Sequence, residues 1–205
     1  MSAGFQHERK LLRARVWPVA GVDEVGRGPL AGPVVAAAVI LDPDDLPEGL
    51  DDSKALSAAR REAMAEIIVE RALAFAIASC NVADIERMNI RGASLHAMRK
   101  ALAALVVTPA HALFDGRDLA PGWEGRGTAI VGGDAICASI AAASILAKVA
   151  RDRMMVAIAQ DYPAYGFDRH MGYGTAAHRA AILTHGPCPH HRMSFGILAQ
   201  FRLEV

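Results

Sequence analysis

Two apolar runs joined by a short glycine- and proline-rich segment constrain the fold of this chain more than any other feature. The first run spans Val16 to Glu24 and the second spans Val34 to Leu41. Both have the length of buried β-strands, and Gly26, Gly28 and Pro29 interrupt the chain between them. Because the connection is so short, the two runs are predicted to form an antiparallel hairpin.

The remainder of the chain alternates between helix and strand patterns. Ser57 is a favourable N-cap for a helix over 58–71, which a strand over 72–80 follows. The run 137–159 is rich in alanine, lacks glycine and proline, and is the strongest helix signal. The other predicted elements are a helical turn at 84–88, a helix over 93–105, a strand over 110–115, a loop over 116–127, a strand over 128–131 and a helix over 176–183. This order predicts an α/β domain with a mixed sheet.

A length of 205 residues favours one domain with a small appendage. Residues 1–15 are polar and basic and are predicted to form a frayed tail or a short helix. The main domain is expected over 16–160. Residues 161–205, dense in Gly, Pro and His, are expected to form a cap packed on the same domain.

Composition and charge limit the cellular location and the binding partners that can be expected for this chain. No apolar run approaches the roughly 18 residues of a membrane span, and the N-terminus does not have the pattern of a signal peptide. Cys80, Cys137 and Cys188 are widely spaced, so we expect free thiols in a reducing cytoplasm. The net charge is zero, which argues against a uniformly basic nucleic-acid-binding surface. Residues 148–204, however, carry seven Lys and Arg against four acidic residues, which leaves open a basic C-terminal face or an ordinary solvated surface.

Acidic residues stand beside glycines at the predicted ends of elements. Asp23 and Glu24 end the first strand, Asp115 ends a second apolar strand, and Asp134 lies between a glycine pair and the long helix. Clustered carboxylates suit Mg²⁺ or Mn²⁺, and two such ions about 4 Å apart clamp the attacking and leaving oxygens of a phosphodiester. Each residue also has an ordinary explanation: Asp134 is a good N-cap, and Asp-Gly at 115 is a common turn. The spacing alone leaves both interpretations open.

The amino-acid sequences of several segments decide between a metal site and ordinary turn and cap residues. The stretch Gly21 to Val35 resembles the opening strand of the type 2 ribonucleases H, the bacterial ribonucleases HII in particular. The likeness continues, in the order of that family, through 52–57, Phe114-Asp-Gly116, Gly133-Asp134, 139–152, 170–175 and 191–195. One such motif is weak evidence, whereas the ordered series over roughly residues 19–196 is highly specific.

The resemblance implies a fold, a reaction and its residues. The fold is the ribonuclease H-like mixed five-stranded sheet flanked by helices, with a small helical C-terminal extension. Asp23, Glu24, Asp115 and Asp134 match the catalytic carboxylates, which in the family bind two divalent ions, Mg²⁺ or Mn²⁺. Such enzymes hydrolyse the RNA strand of RNA–DNA hybrids, cut 5′ of single ribonucleotides embedded in duplex DNA, and leave 5′-phosphate and 3′-hydroxyl ends.

The resemblance also implies substrate contacts. Gly26-Arg27-Gly28 matches the family's sensor of the ribose 2′-hydroxyl, the group that distinguishes RNA from DNA at one site. Tyr173 matches a tyrosine that packs against the sugar of the next nucleotide, and Ser53 and Lys54 match a phosphate-contacting segment. Taken singly, Gly26-Arg27-Gly28 is typical of a glycine turn, Tyr173 of a half-buried core position, and Ser53-Lys54 of a solvated turn. Met171 departs from the family, in which many members carry a lysine there.

Other polar residues are given structural roles. Arg151 and Asp152 are predicted to be a surface pair on the long helix, and His191-Arg192 to be structural or in contact with backbone. Cys188, His190 and His191 lack a matching second ligand pair for zinc.

The expected enzyme is a cytoplasmic monomer that acts on hybrids or ribonucleotide-containing duplexes. It is compatible with recruitment by replication or repair proteins and has no membrane partner. Alternatives are another nuclease or strand-transferase of the same fold, and a hybrid-binding module without catalysis.

Overall fold

The computed structural model describes residues 3–50, 56–196, 198 and 201. Its five strands are β1 (Val19–Val25), β2 (Val34–Leu41), β3 (Ala72–Cys80), β4 (His111–Asp115) and β5 (Gly127–Ile130). They form one sheet in the order β3-β2-β1-β4-β5. Strands β1 and β2 pair antiparallel, as predicted from their short connection, and β2 and β3 also pair antiparallel, whereas β1–β4 and β4–β5 pair in parallel. The predicted mixed five-stranded sheet is confirmed.

The helices described are α1 (Gln6–Arg13), α2 (Ala58–Arg71), α3 (Val82–Ala103), α4 (Gly133–Ile136), α5 (Ala138–Asp161), α6 (Phe167–His170) and α7 (Ala176–His185), with a 3-10 turn at Pro163–Tyr165. Ser57 caps α2 as predicted, because its side chain accepts from the Arg60 N–H. The predicted turn at 84–88 and helix over 93–105 correspond to two parts of α3, which meet at a kink where Asn89 has a φ of 59°.

Strand β2 lies at the centre of the core because both of its faces are covered. All its residues are buried. Successive strand side chains point to opposite faces. Thus Ala36, Ala38 and Ile40 pack in a cluster with residues of α3, while alternate positions such as Ala37 and Val39 pack with α2 and α5.

Helix α5 is held close to the sheet. A Cβ placed on Gly21 of β1 would lie 2.1 Å from the carbonyl carbon of Ser139, so only glycine permits this approach. The alanines near the start of α5 are buried for the same reason: small side chains let the helix lie on the strand. This contact fixes the position of α5 over the end of β1, where the acidic residues are.

The N-terminal segment is a docked helix. The buried Glu8 of α1 accepts hydrogen bonds through Oε1 from the Ser139 N–H, the Ser139 hydroxyl and the Cys137 thiol, at 2.8, 2.6 and 3.1 Å. Of the two conformations predicted for residues 1–15, the structure therefore has the short helix.

The part of the chain after α5 packs on Leu30 and Ala31 of the β1–β2 connection. The division into tail, main domain and cap stays a prediction.

Two further predictions concern the chain as a whole. Cys80, Cys137 and Cys188 are buried free thiols, as expected from their spacing. None of the helices in the described part of the chain combines the length and the apolar character that crossing a bilayer requires.

Candidate metal centre and substrate cleft

Three carboxylates converge where β1 and β4 end. These strands are parallel neighbours with Val22 opposite Phe114, so the next residue of each, Asp23 and Asp115, lies at the same edge of the sheet. Asp134 joins them from the first turn of α4. Each of the three aspartates offers a carboxylate oxygen within 4.8 Å of the other two. No other group of this kind occurs among the described residues.

Local backbone features hold this cluster together. The Asp115 Oδ1 accepts from the Gly133 N–H at 2.7 Å, which ties β4 to the start of α4. A Cβ on Gly133 would lie 2.6 Å from Ile140 Cδ1 and 3.4 Å from Asp115 Oδ1, so a larger residue here would require the Ile140 side chain to shift. Asp23 accepts from the Glu24 N–H at 2.7 Å and from the hydroxyl of Ser144 in α5. Sheet, loop and helix each therefore fix one side of the cluster.

Glu24 lies beside this group but points elsewhere. Its Oε1 accepts from Arg27 Nη1 at 3.1 Å, and its side chain is only 10% exposed. Adjacent strand residues face opposite ways, which explains why Asp23 and Glu24 do not converge on one point. Glu24 nevertheless borders the same cleft as Asp23 and Asp115. Its assignment as a metal ligand stays a prediction.

The electrostatics of the cluster favour a cation. Burial raises the pKa of Asp23 well above its usual range, and the charges of Glu24 and Asp115 raise it further. Burial also raises the pKa of Glu24, an effect that the Arg27 guanidinium partly opposes. Closely spaced carboxylates removed from water repel one another, and a bound cation reverses this penalty. An all-oxygen donor set fits Mg²⁺ or Mn²⁺.

Two members of this cluster, Asp23 and Asp115, line an open cleft of about 540 Å³ together with Glu24. One wall is the segment Gly26 to Gly28, and the half-exposed ring of Tyr173 lies opposite it. A Cβ on Gly28 would lie 3.9 Å from Tyr173 Cε1, so the two predicted sugar contacts face each other. The predicted phosphate contacts Ser53 and Lys54 lie outside the described residues.

The cleft also contains residues that sequence reasoning missed: Arg61, Ser144 and Lys148. Ser144 and Lys148 are four residues apart on α5 and so share one face of it. That spacing, within a segment already matched to the family, was a usable signal. Arg61 had none. Lys148 donates to Asp152 at 2.7 Å and Arg61 to the Leu56 carbonyl at 2.6 Å, which holds both cations near the cleft.

One structural prediction is wrong. Arg151 was expected to form a surface pair with Asp152, but it is fully buried and donates to backbone carbonyls, while Asp152 pairs with Lys148. Sequence reasoning misjudged it because its acceptors are distant in sequence: Ala31 and Pro33 lie more than a hundred residues earlier in the chain and Met171 lies 20 residues later. The predicted backbone contacts of Arg192 are confirmed.

His191 belongs to a buried chain of neutral histidines. The Cys188 N–H donates to His191 Nδ1 at 2.9 Å, so the ring proton of His191 is on Nε2. Its Nε2 lies 3.0 Å from His178 Nε2, and His178 Nδ1 lies 2.9 Å from the Tyr173 carbonyl. The bonds are consistent only if His191 donates to His178 and His178 donates to Tyr173. Burial lowers the pKa of both rings, that of His191 to about 4.

A mixed sheet with an acidic cluster at its edge, below a cleft lined with basic residues, is the arrangement of a ribonuclease H-like enzyme. The sequence model of the family described as Ribonuclease HII matches residues 20–197. The chain belongs to this family and is a ribonuclease H.

Individual relatives agree with this membership. The chain is 53% identical to a Ribonuclease HII of Brucella ovis over 196 residues, covering 95% of this chain and 89% of the relative. It is 56% identical to a Ribonuclease HII of Nitrobacter hamburgensis over 198 residues, covering 95% and 72%. Among solved structures, the RNase HII in a complex with PCNA from Archaeoglobus fulgidus aligns with a TM-score of 0.74 at 28% identity, covering 88% of this chain and 96% of that one.

Proposed function

We propose that this chain is an endonuclease that hydrolyses the RNA strand of RNA–DNA hybrids and cuts 5′ of single ribonucleotides in duplex DNA. The observation that carries the proposal is the convergence of Asp23, Asp115 and Asp134 within 4.8 Å, beside a cleft that Asp23 and Asp115 line. Its products are a 5′-phosphate on the ribonucleotide 3′ of the cut and a 3′-hydroxyl on the preceding nucleotide.

The carboxylates hold the catalytic ions in this proposal. Asp23, Asp115 and Asp134 bind divalent cations together with Glu24, and the ions are Mg²⁺ or Mn²⁺. When bound, two such ions supply the charge that activates the attacking water and stabilises the departing 3′ oxygen. The protein contributes orientation, because the Gly133 N–H and the Ser144 hydroxyl restrict how the carboxylates turn.

The walls of the cleft give the proposed specificity. Segment Gly26 to Gly28 lies next to the acidic cluster and reads the ribose 2′-hydroxyl, and Tyr173 packs against the sugar on the 3′ side. Arg61 and Lys148 place positive charge beside the carboxylates, where it attracts the phosphate backbone. Ser53 and Lys54 add phosphate contacts.

The proposal extends to the cellular setting. The buried free thiols support the reducing cytoplasm expected from the sequence. The PCNA complex of the Archaeoglobus fulgidus protein supports recruitment of this chain by replication or repair proteins.

A panel of substrates tests the proposed function. Duplex DNA with one embedded ribonucleotide, a continuous RNA–DNA hybrid, all-DNA duplex and single-stranded RNA are each incubated with Mg²⁺, Mn²⁺ or EDTA. We expect metal-dependent cleavage of the first two substrates only. Cleavage of the hybrid without cleavage at the single ribonucleotide would favour another nuclease of the same fold, and binding without cleavage would favour a hybrid-binding module.

A further inference from the structure

The segment from Gly26 to Pro33, here called the sensor loop, is built around two buried guanidinium groups. Arg192 follows α7 in the chain and Arg151 lies in α5, and both are fully buried. Arg192 donates to the carbonyl oxygens of Gly26 at 2.6 Å, Arg27 at 3.0 Å, Pro29 at 2.9 Å, Gly32 at 2.8 Å and Pro33 at 3.2 Å. Arg151 donates to Ala31 at 3.2 Å and to Pro33 at 3.0 Å.

Arginine is the side chain suited to this role. Its guanidinium carries five N–H donors in one rigid plane, and all three nitrogens of Arg192 donate here. Every hydrogen-bond partner of Arg151 and Arg192 among the described residues is a backbone carbonyl. A charge buried in this way is costly, and burial lowers the pKa of Arg192 to about 9. The sensor loop is therefore folded around a cation rather than around an apolar core.

The direction of the carbonyls determines where the amides point. In a trans peptide, the C=O of one residue and the N–H of the next point in opposite directions. Because the carbonyls of Gly26 and Arg27 point at Arg192, the N–H groups of Arg27 and Gly28 point away from it. Both residues line the cleft beside the acidic cluster. Arg192 thus sets the orientation of the two amides nearest to the proposed position of the ribose.

Arg151 connects the sensor loop to the segment that carries Tyr173. Its Nη1 donates to the Met171 carbonyl at 3.0 Å, while its other nitrogens hold the sensor loop. The Leu30 N–H donates to the Gly172 carbonyl at 2.8 Å, which adds a second link. The two walls of the cleft are therefore fixed to each other by the buried Arg151 side chain and by one backbone hydrogen bond.

We propose that Arg192 and Arg151 are positioning residues for ribonucleotide recognition: Arg192 fixes the amides of the sensor loop, and Arg151 fixes the distance between this loop and Tyr173. This inference rests on the proposed function, since it assigns the loop to reading the substrate. Neither arginine contacts the acidic cluster in this scheme. Their loss should impair substrate recognition and leave metal binding intact.

The variants Arg192→Lys and Arg151→Lys test the proposal. Lysine keeps the charge, but its single nitrogen cannot span carbonyls in several directions. We expect kcat/KM on the single-ribonucleotide duplex to fall about tenfold to a hundredfold, the range typical for loss of supporting hydrogen bonds, mostly through KM. Mn²⁺ affinity, measured by calorimetry without substrate, should stay within about twofold of wild type.

A matched control separates positioning from stability. Ile182→Ala removes a fully buried side chain from the cluster that contains Leu30 and Ala31, and should cost about 2–5 kcal/mol without breaking any of these hydrogen bonds. Assayed well below its Tm, this variant should keep wild-type KM. An equal rise in KM for Ile182→Ala and Arg192→Lys would overturn the proposal, as would unchanged KM in both arginine variants.

Hydrogen exchange tests the loop independently of activity. In Arg192→Lys, amide exchange in peptides covering the sensor loop should accelerate at least about tenfold, while peptides from β1 and β4 stay unchanged. Exchange identical to wild type would refute the positioning role. Failure of the wild-type protein to cut the single-ribonucleotide duplex would instead refute the proposed function, and the exchange result would still decide whether Arg192 holds the loop.

Discussion

Two alanine substitutions, two residues apart in the sensor loop, should have opposite effects. Gly28 does not have a positive φ, and a Cβ there would have only Tyr173 Cε1 as a near neighbour, at the ordinary contact distance of 3.9 Å. Gly26 has a φ of +98°, and a Cβ there would lie 2.3 Å from Arg151 Nε and 2.8 Å from the Pro33 carbonyl oxygen. Gly28→Ala therefore fits the folded protein, and Gly26→Ala does not.

The expected changes in stability follow from these contacts. Gly28→Ala should leave the free energy of unfolding unchanged or raise it by about 0.4–1 kcal/mol, since alanine restricts the unfolded chain. Gly26→Ala adds backbone strain of about 1–3 kcal/mol and a steric clash of about 1–3 kcal/mol. At about 2–4 °C per kcal/mol for a chain of this size, the Tm of Gly26→Ala should fall by at least about 4 °C.

The change in activity expected for Gly28→Ala does not follow its change in stability. The methyl group of Gly28→Ala lies on the face of the sensor loop that borders the cleft, where the loop is proposed to approach the ribose 2′-hydroxyl. A displacement of about 1 Å at a reacting group costs about a hundredfold, so kcat/KM on the single-ribonucleotide duplex should fall at least tenfold. Thermal unfolding and steady-state kinetics on both variants provide the test. Wild-type kcat/KM for a stable Gly28→Ala would refute the assignment of this loop to the ribose.

Further predictions concern the carboxylates, the ions, Tyr173 and the histidine chain. Asp134→Asn should lower kcat at least about a hundredfold because it removes charge that holds an ion, whereas the exposed Asp161→Asn should match wild type. Ca²⁺ should support substrate binding, measured by fluorescence anisotropy, with little cleavage, since its looser coordination positions reacting groups poorly. Tyr173→Ala should cost about 1–3 kcal/mol in kcat/KM, roughly five- to 150-fold, on a single embedded ribonucleotide and less on a continuous hybrid; equal losses would make Tyr173 a packing residue. Because the pKa of His191 falls from near 6.5 in the unfolded chain to about 4 in the folded one, its contribution to stability is complete above pH 6.5 and is lost on acidification toward pH 4. Urea unfolding at pH 7 and pH 5 should show an acid loss in wild type that exceeds that of His191→Gln by up to about 2 kcal/mol.

The sequence predicted those parts of the fold that depend on local pattern. The continuously buried strand β2, the Ser57 cap and the uninterrupted α5 each follow from residues near one another in the chain. The sequence also placed Asp23 and Asp115 at strand ends, but the parallel pairing of β1 with β4 that brings them together is seen only in the fold. Asp134 needed the family resemblance, since its own surroundings suggest only an N-cap.

Contacts between distant segments were not predictable in this way. The pattern of α5 gives Arg151 the character of a surface residue, and only the folded chain shows that its acceptors are carbonyl groups of the sensor loop and of Met171. Glu8 is similar: in a polar N-terminal segment nothing indicates that it is buried against Ser139. The kink at Asn89 depends on a single positive φ, which side-chain periodicity does not encode. In each case the determining partner lies far away in sequence or in the backbone itself.

Mapping the product ends tests the central claim most directly. A DNA duplex with one ribonucleotide, labelled at both ends of the cut strand, is incubated with enzyme and Mg²⁺, and the products are analysed for position and end chemistry. Hydrolysis at the acidic cluster predicts one cut immediately 5′ of the ribonucleotide, with a 3′-hydroxyl and a 5′-phosphate, and no cut in EDTA. A cut on the 3′ side that leaves a cyclic phosphate would show that the ribose hydroxyl attacks instead, and cleavage that persists in EDTA would show that no metal ion is required; either result would contradict the account.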